Sequence, residues 1–249
     1  MKRVVVVGGG PGGYEAALVA AQLEAEVTVV YTDGIGGSAV LTDCVPSKTL
    51  IATAELMSEM TEAHELGITF SGTADAPTAE LDRVNTRVKA LALAQSSDIE
   101  RRLTREGVRV LRGRGRLDGP ERVAVRGDDG SEETLGADCV LLATGAAPRT
   151  LATAQPDGER ILTWEQVYDL DELPEKLVVV GSGVTGAEFA SAYNALGVDV
   201  ALVSSRDRVL PGEDADAAEV LEEVFKRRGM TVLGKSRMES VERHGDEVT

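Results

Sequence analysis

The chain has 249 residues, 43% of them hydrophobic, enough for one large or two small globular domains and too many for a disordered protein. Its 42 acidic and 26 basic residues leave a formal charge of −16, which repels nucleic acid phosphates and anionic headgroups and argues against either as a partner. Its two cysteines, Cys44 and Cys139, lie far apart in sequence, which argues against the disulfide framework of a small secreted domain.

Lys2 and Arg3 stand before four valines, as at the start of a signal peptide, but Gly8 arrives too soon for its apolar region. No apolar run approaches the roughly 20 residues needed to span a bilayer, so a cytoplasmic protein with no integral membrane segment is expected. Val4 to Val7 instead has the continuous apolar pattern of a parallel strand covered on both faces. It runs into Gly8-Gly9-Gly10-Pro11-Gly12-Gly13, a G-x-G-x-x-G match, then an alanine-rich helix from Tyr14 to Leu23 and a strand from Val27 to Val30. In such a unit Gly8 permits the tight turn, Gly10 lets backbone approach a pyrophosphate, and Gly13 allows close packing of helix on strand. The helix N-terminus then offers unpaired N–H groups to phosphate. One match alone also fits a plain structural turn.

The match is not alone. Residues 177 to 204 repeat residues 4 to 31 without a gap, so that Gly181, Gly183 and Gly186 stand where Gly8, Gly10 and Gly13 do, with Val184 and Thr185 between the last two. Two dinucleotides, one per unit, are the expectation. Units of this kind place an acid about 20 residues past the glycines to hold ribose hydroxyls, but the end-of-strand positions here are Tyr31 and Ser204. Two residues on, Asp33 suits a ribose hydroxyl, while Arg206 and, beyond it, Arg208 suit a 2′-phosphate. This leans to NADPH over NADH, with exposed surface arginines as the plain alternative.

Between the units, Pro46 to Ala63 and Ala79 to Glu106 read as helices, the second with an apolar stripe of core type. From Val108 the pattern switches to short strands with a turn at residues 127 to 131, and the apolar strand from Cys139 to Ala143 makes Cys139 a buried structural thiol. The polar, proline-containing connection from Ala146 to Glu159 marks a boundary between a domain at residues 1–150 and another at 151–249. Thr163 and Gln166 form a capping box for a helix bearing Trp164, Val167 and Tyr168. Asp214 to Arg228 is a helix, Thr231 to Leu233 a strand, and Met238 to Arg243 one arm of a hairpin turning at residues 244 to 246. The fold class is α/β: two Rossmann-like, doubly wound βαβ dinucleotide-binding domains, the first with helical and antiparallel β insertions. Neither His64 nor His244 has company of metal-ligand type, and no metal is expected.

Between the glycine turns, Gly36 to Lys48 reads GGSAVLTDCVPSK. It resembles the redox segment of the pyridine nucleotide-disulfide oxidoreductases, the family of lipoamide dehydrogenase and glutathione reductase. There two cysteines with four residues between them form a disulfide; here Cys44 keeps the second place and Ala39 stands at the first. The string is most similar to that of the family's thiol-lacking NAD(P)H quinone reductases. The resemblance implies FAD on the first unit, with Gly8, Gly10, Pro11, Gly13, Tyr31, Asp33, Gly36, Gly37, Ser38, Cys44, Lys48, Gly115, Thr144 and Gly145 around it. It implies NAD(P)H on the second, at Gly181, Gly183, Val184, Thr185, Gly186, Glu188, Ser204, Arg206 and Arg208.

It further implies that Lys48 lies beside the flavin N5 and pairs with Glu188 across the two domains, that Cys44 is the unpaired flavin-proximal thiol, and that a full-length member is a homodimer. A family member continues through further segments, so a C-terminally truncated form is the expectation for this chain. Without a dithiol, a flavin reduced by NAD(P)H must pass its electrons directly to a quinone, a dye or a similar small acceptor. An NAD(P)H:quinone oxidoreductase is the expected function. A lipoamide dehydrogenase-like enzyme using Cys44 with another thiol, and a non-catalytic nucleotide-binding protein, stand as alternatives.

Overall fold

A computed structural model describes residues 1–68 and 77–249. The chain divides into two compact units, one formed by Met1–Pro46 and Lys89–Ala147 and the other by Ser47–Val88 and Pro148–Thr249. The described residues of 47–68 and 77–88, counted with the first domain in the sequence reading, thus fall in the second unit, where Leu50, Ala54, Leu81 and Val88 join its core.

The first unit opens with strand β1 (Arg3–Val7), helix α1 (Pro11–Gln22) and strand β2 (Glu26–Tyr31). Pro11 takes the first helical position, where its missing N–H costs nothing and its fixed φ suits the helix. A short helix α2 (Gly37–Leu41) precedes helix α3 (Cys44–Glu62), helix α4 (Leu81–Arg105) and strand β3 (Arg109–Arg112). Strands β4 (Arg114–Leu117), β5 (Arg122–Arg126) and β6 (Glu132–Gly136) form an antiparallel sheet, and β7 (Cys139–Leu142) returns to pair with β1. The parallel sheet has the order β3-β2-β1-β7.

The valine run works because side chains alternate across a strand. Val6 and Val29, paired across β1 and β2, pack with Ala17 and Leu18 of α1 and Leu103 of α4. Val5, Val7 and Val30 project the other way, onto Val123, Val125 and Leu135 of the antiparallel sheet. Both faces are covered, and each fully buried valine contributes about 2 kcal/mol. Cys139 is a correction: its residue is exposed, not buried, because β7 is the outer strand of this sheet and pairs with β1 on one side only among the described residues.

The second unit carries a parallel sheet of order β10-β9-β8, formed by β8 (Lys176–Val180), β9 (Asp199–Val203) and β10 (Thr231–Leu233). Helix α5 (Val184–Ala195) follows β8, and helix α6 (Ala215–Arg227) follows β9 with Asp214 as its cap, accepting from the Asp216 and Ala217 amides. Ala187, Phe189, Ala190, Ala192 and Tyr193 leave α5 little polar surface, as expected of a helix enclosed by neighbours. They share one core with Val200 and Leu202 of β9, Phe225 of α6, Leu50 of α3, and Leu81 and Val88 of α4.

The helix expected after Thr163 is a single 3-10 turn at Gln166–Asp169. Gln166 Oε1 does accept from the Thr163 amide at 2.8 Å, one half of the capping box. The turn ends at Leu170, whose backbone is extended, and its end is anchored from outside: Asn85 Nδ2 donates to Leu170 O at 2.8 Å, and the Tyr193 hydroxyl donates to Val167 O at 3.3 Å. The final hairpin is shorter than expected, with β11 (Arg243–His244) against β12 (Glu247–Val248).

Arg243 ties this hairpin to the turn at residues 157–161 through Asp157 at 3.0 Å and Glu159 at 2.7 Å. Asp157 Oδ1 also accepts from the amides of Glu159, Arg160 and Ile161. These backbone hydrogen bonds hold the Asp157 carboxyl well below the usual carboxylate range. A group so depressed stabilises the turn above its unfolded pKa and loses that contribution only as pH falls through the folded value. The amide resonances of residues 159–161 are therefore expected to stay in place down to about pH 4 and to move only in stronger acid. Movement with a midpoint near pH 4 would contradict this.

Candidate functional site

The two glycine turns are built alike. In the first, Gly8 has φ +119°, and a Cβ there would lie 2.0 Å from the Ala143 carbonyl oxygen, so the turn after β1 touches the end of β7 where Thr144 follows. A Cβ on Gly13 would lie 2.0 Å from Gly8 O. In the second, Gly181 has φ +114° and a Cβ on Gly186 would lie 1.9 Å from Gly181 O. Gly8, Gly13 and Gly186 are required by backbone packed on backbone, and Gly181, whose Cβ would meet nothing within 4 Å, by its left-handed φ alone, whatever the loop binds.

Gly10 and Gly183 are different. They cap α1 and α5 with φ of −74° and −72° and ψ near 180°, a conformation open to any residue. A Cβ on Gly183 would meet no described atom within 4 Å, and one on Gly10 would meet only Gly37 Cα at 3.9 Å. Neither packing nor backbone strain asks for glycine at these two points. What they leave bare is the N-terminal end of a helix of 12 residues, where amide N–H groups have no partner within the helix. This fits a ligand phosphate lying against the backbone, and a methyl group would stand in its way.

The segment from Gly36 sits directly on the first turn. The Gly36 amide donates to Gly9 O at 2.7 Å, and a Cβ on Gly37 would come within 2.7 Å of Gly10 Cα. The structure thus brings Gly8, Gly10, Gly13, Gly36, Gly37 and Thr144 together. Ser38 lies in α2, its carbonyl accepting from the Thr42 and Asp43 amides, while Ala39 is half-buried. Pro11, Asp33, Cys44, Thr144 and Gly145 are exposed, and Asp33 accepts from the Thr32 hydroxyl. Tyr31 is half-buried, and that burial, then the Glu100 charge, raises its pKa. Gly115 has a local packing reason of its own: a Cβ there would lie 2.9 Å from a Val7 methyl group.

In the second unit the Lys48 ammonium donates to Glu188 Oε1 at 2.7 Å. Lys48 comes from the first turns of α3 and Glu188 from the first turns of α5, one turn past Val184 and Thr185. The lysine side chain is 61% exposed and the glutamate 26%, so the carboxylate is the fixed member and the ammonium faces solvent. Arg206 is exposed and its guanidinium makes no hydrogen bond or ion pair to another described residue. Arg208 is half-buried, with Nε enclosed and unpartnered and one terminal nitrogen 3.5 Å from Glu213 O.

Ser204 is 2% exposed, its hydroxyl in contact with that of Ser182, itself 4% exposed. Sequence reasoning passed over Ser182. Its one signal there is that the repeat departs from the first loop at this position, with serine in place of Gly9. Both cysteines are free and exposed. Among the described residues, no helix is long and apolar enough to cross a membrane.

Comparison with known proteins agrees with this architecture. The family model described as pyridine nucleotide-disulphide oxidoreductase matches residues 2–249. An NAD(P)H dehydrogenase (quinone) of Mycobacterium tuberculosis is 54% identical over 98% of this chain and 51% of its own length. A dihydrolipoyl dehydrogenase of Zymomonas mobilis is 35% identical over 99% of this chain and 52% of its own length. Among solved structures, LpdA from Mycobacterium tuberculosis superposes with a TM-score of 0.92 at 52% identity, over all of this chain and 54% of that one. The chain spans about half the length of the curated relatives it matches. With a family model matched over almost all of its residues and both glycine turns in place, the chain belongs to the pyridine nucleotide-disulphide oxidoreductase family.

Proposed function

We propose that this chain is the nucleotide-binding portion of an FAD-dependent NAD(P)H:quinone oxidoreductase. The observation that carries the choice of acceptor is Cys44 free in a redox segment whose other thiol position is Ala39. Relay of electrons to a disulfide substrate takes two thiols, one to attack and one to resolve, and this segment supplies one. The 54% identical relative, named as a quinone-reducing NAD(P)H dehydrogenase, supports the same reading.

In this reading the first unit holds FAD. Gly10 admits its pyrophosphate to the α1 N-terminus, Gly36 and Gly37 close over that turn, and Asp33 is free to accept from ribose hydroxyls. The second unit holds the pyridine nucleotide at Gly181 to Gly186 in the same manner. Arg206 offers a guanidinium fork to a 2′-phosphate, which favours NADPH over NADH. A flavin held at Gly10, Gly36 and Gly37 would supply the two-electron chemistry between reduced nicotinamide and acceptor. The protein's part is to bind, orient and hold charge.

Glu188 holds the Lys48 ammonium at a defined point, where it would offer positive charge to a bound flavin. An exposed ion pair adds little to stability, so Lys48→Met is expected to leave the melting temperature within a few degrees. The same substitution is expected to slow flavin reduction by NADPH by about tenfold or more. An unchanged stopped-flow rate would remove Lys48 from the proposal.

The reading as a whole is tested on the purified protein by its visible spectrum. The expected result is an oxidised flavin band that bleaches on anaerobic addition of NADPH with no new thiols titrated. A colourless protein that takes up no added FAD would refute the proposal. So would two new thiols on reduction, which would favour the disulfide-reductase alternative.

A further inference from the structure

The second glycine turn contains a hydrogen-bonded corner that the first lacks. Ser182 Oγ lies 2.6 Å from Ser204 Oγ and 3.3 Å from Arg208 O; Ser204 Oγ lies 3.5 Å from Arg208 O and accepts from the Arg206 amide at 3.1 Å. The short contact is the bond that the Ser182 proton makes, which leaves the Ser204 proton for the Arg208 carbonyl. Both hydroxyls are then used, and both are buried. Ser204, at the position where a ribose-reading acid would stand, is turned inward and has no proton left for a sugar.

The same corner fixes the loop from both sides. Leu210 N donates to Ser182 O at 2.8 Å, Lys235 N to Arg206 O at 2.7 Å, and Ser236 N to Ser204 O at 2.8 Å. Arg206 is thus a residue with a pinned backbone and an unpaired side chain. The equivalent positions in the first unit are Gly9, Tyr31 and Ile35, and they close the corner with apolar atoms: a Cβ on Gly9 would lie 3.0 Å from Tyr31 Cβ and 3.1 Å from an Ile35 methyl. The fold does not itself require two hydroxyls there.

We infer that the Ser182–Ser204 pair is a specificity-positioning device: it withdraws the end-of-strand residue from the coenzyme and holds Arg206 where a 2′-phosphate is read. The inference rests on the assignment of the pyridine nucleotide to this turn. Ser182 and Ser204 act through Arg206 and touch no ligand themselves. Removing either hydroxyl breaks the 2.6 Å bond between them, and removing that of Ser204 also takes the acceptor from the Arg206 amide; the Arg206 loop is loosened, so affinity for the 2′-phosphate falls while affinity for the remainder of the coenzyme stays.

The experiment is calorimetric titration of the purified chain with 2′-phospho-ADP-ribose and with ADP-ribose, for the unsubstituted protein, Arg206→Ala, Ser182→Gly and Ser204→Ala. Ser182→Gly installs the residue that the first loop carries at this place. The unsubstituted protein is expected to bind the phosphorylated ligand about tenfold or more tightly than the other. Arg206→Ala and both serine variants are expected to lose most of that ratio while keeping their affinity for ADP-ribose, which also shows that they are folded. If the serine variants keep the ratio and Arg206→Ala loses it, the positioning role is overturned and the assignment of the turn stands. A serine variant that loses both ligands together overturns the positioning role as well. If the unsubstituted protein binds neither ligand, or binds both equally, the coenzyme reading of this loop fails and the inference with it.

Discussion

Gly186→Ala is expected to destabilise the second unit by about 3 kcal/mol or more, because the new methyl group would lie 1.9 Å from the Gly181 carbonyl oxygen. No rotamer change can relieve this, since both atoms are fixed by backbone. Helix α5 must move away from the turn after β8, and Ala187, Phe189 and Ala190 move with it out of the unit's core. For a chain of this size the melting temperature should fall by roughly 10 °C. Gly13→Ala should do the same to the first unit, where the clash with Gly8 O is 2.0 Å. Thermal melts followed by circular dichroism decide it; a fall of under about 2 °C in both would mean that the helices sit farther from their turns than described.

Gly183→Ala should behave in the opposite way. Its backbone conformation suits alanine, the methyl group meets no described atom within 4 Å, and loss of a glycine stiffens the unfolded chain. The melting temperature is expected to hold or rise slightly. Pyridine nucleotide affinity is expected to fall at least about tenfold, or about 1.4 kcal/mol, because the methyl group would stand where the proposed reading places phosphate against the α5 N-terminus. Glycines three residues apart in one motif are thus separated into one that the fold needs and one that the ligand needs. Unchanged nucleotide affinity in Gly183→Ala would remove the physical reason for glycine at this position.

Much of this was legible in the chain. The fingerprints at Gly8 and Gly181, repeated without a gap, carry local conformation and packing in the same residues, so the two βαβ units and the α/β class follow from pattern alone. The helix starting at Asp214 and the turn at residues 127–131 are local in the same sense. What was not legible depends on neighbours distant in sequence. Cys139 sits in an apolar run that reads as buried, and only the order of strands puts it at the outside of its sheet. The segment after Thr163 has a helix signal, yet it makes one turn whose end is anchored by Asn85 and Tyr193, both distant in sequence. Residues 47–88 precede the chain's return to the first sheet, yet Leu50, Ala54 and Leu81 complete the core of the second unit.

The site divides along the same line. The glycines, Lys48 and Glu188 stood out through their motifs, and the 2.7 Å pair is consistent with the placing of the last two. The Ser182–Ser204 contact joins residues 22 apart whose types are common anywhere on a protein, and no spacing rule singles them out. Ser204 was read as a ligand residue because of its position at the end of β9, a reading its burial redirects toward Arg206.

The most direct test of the proposed chemistry is the choice of electron acceptor by the purified protein supplied with FAD. NADPH oxidation should be rapid with menadione and absent with lipoamide, because Ala39 leaves Cys44 without a partner thiol. Rapid lipoamide turnover without menadione turnover would contradict the account.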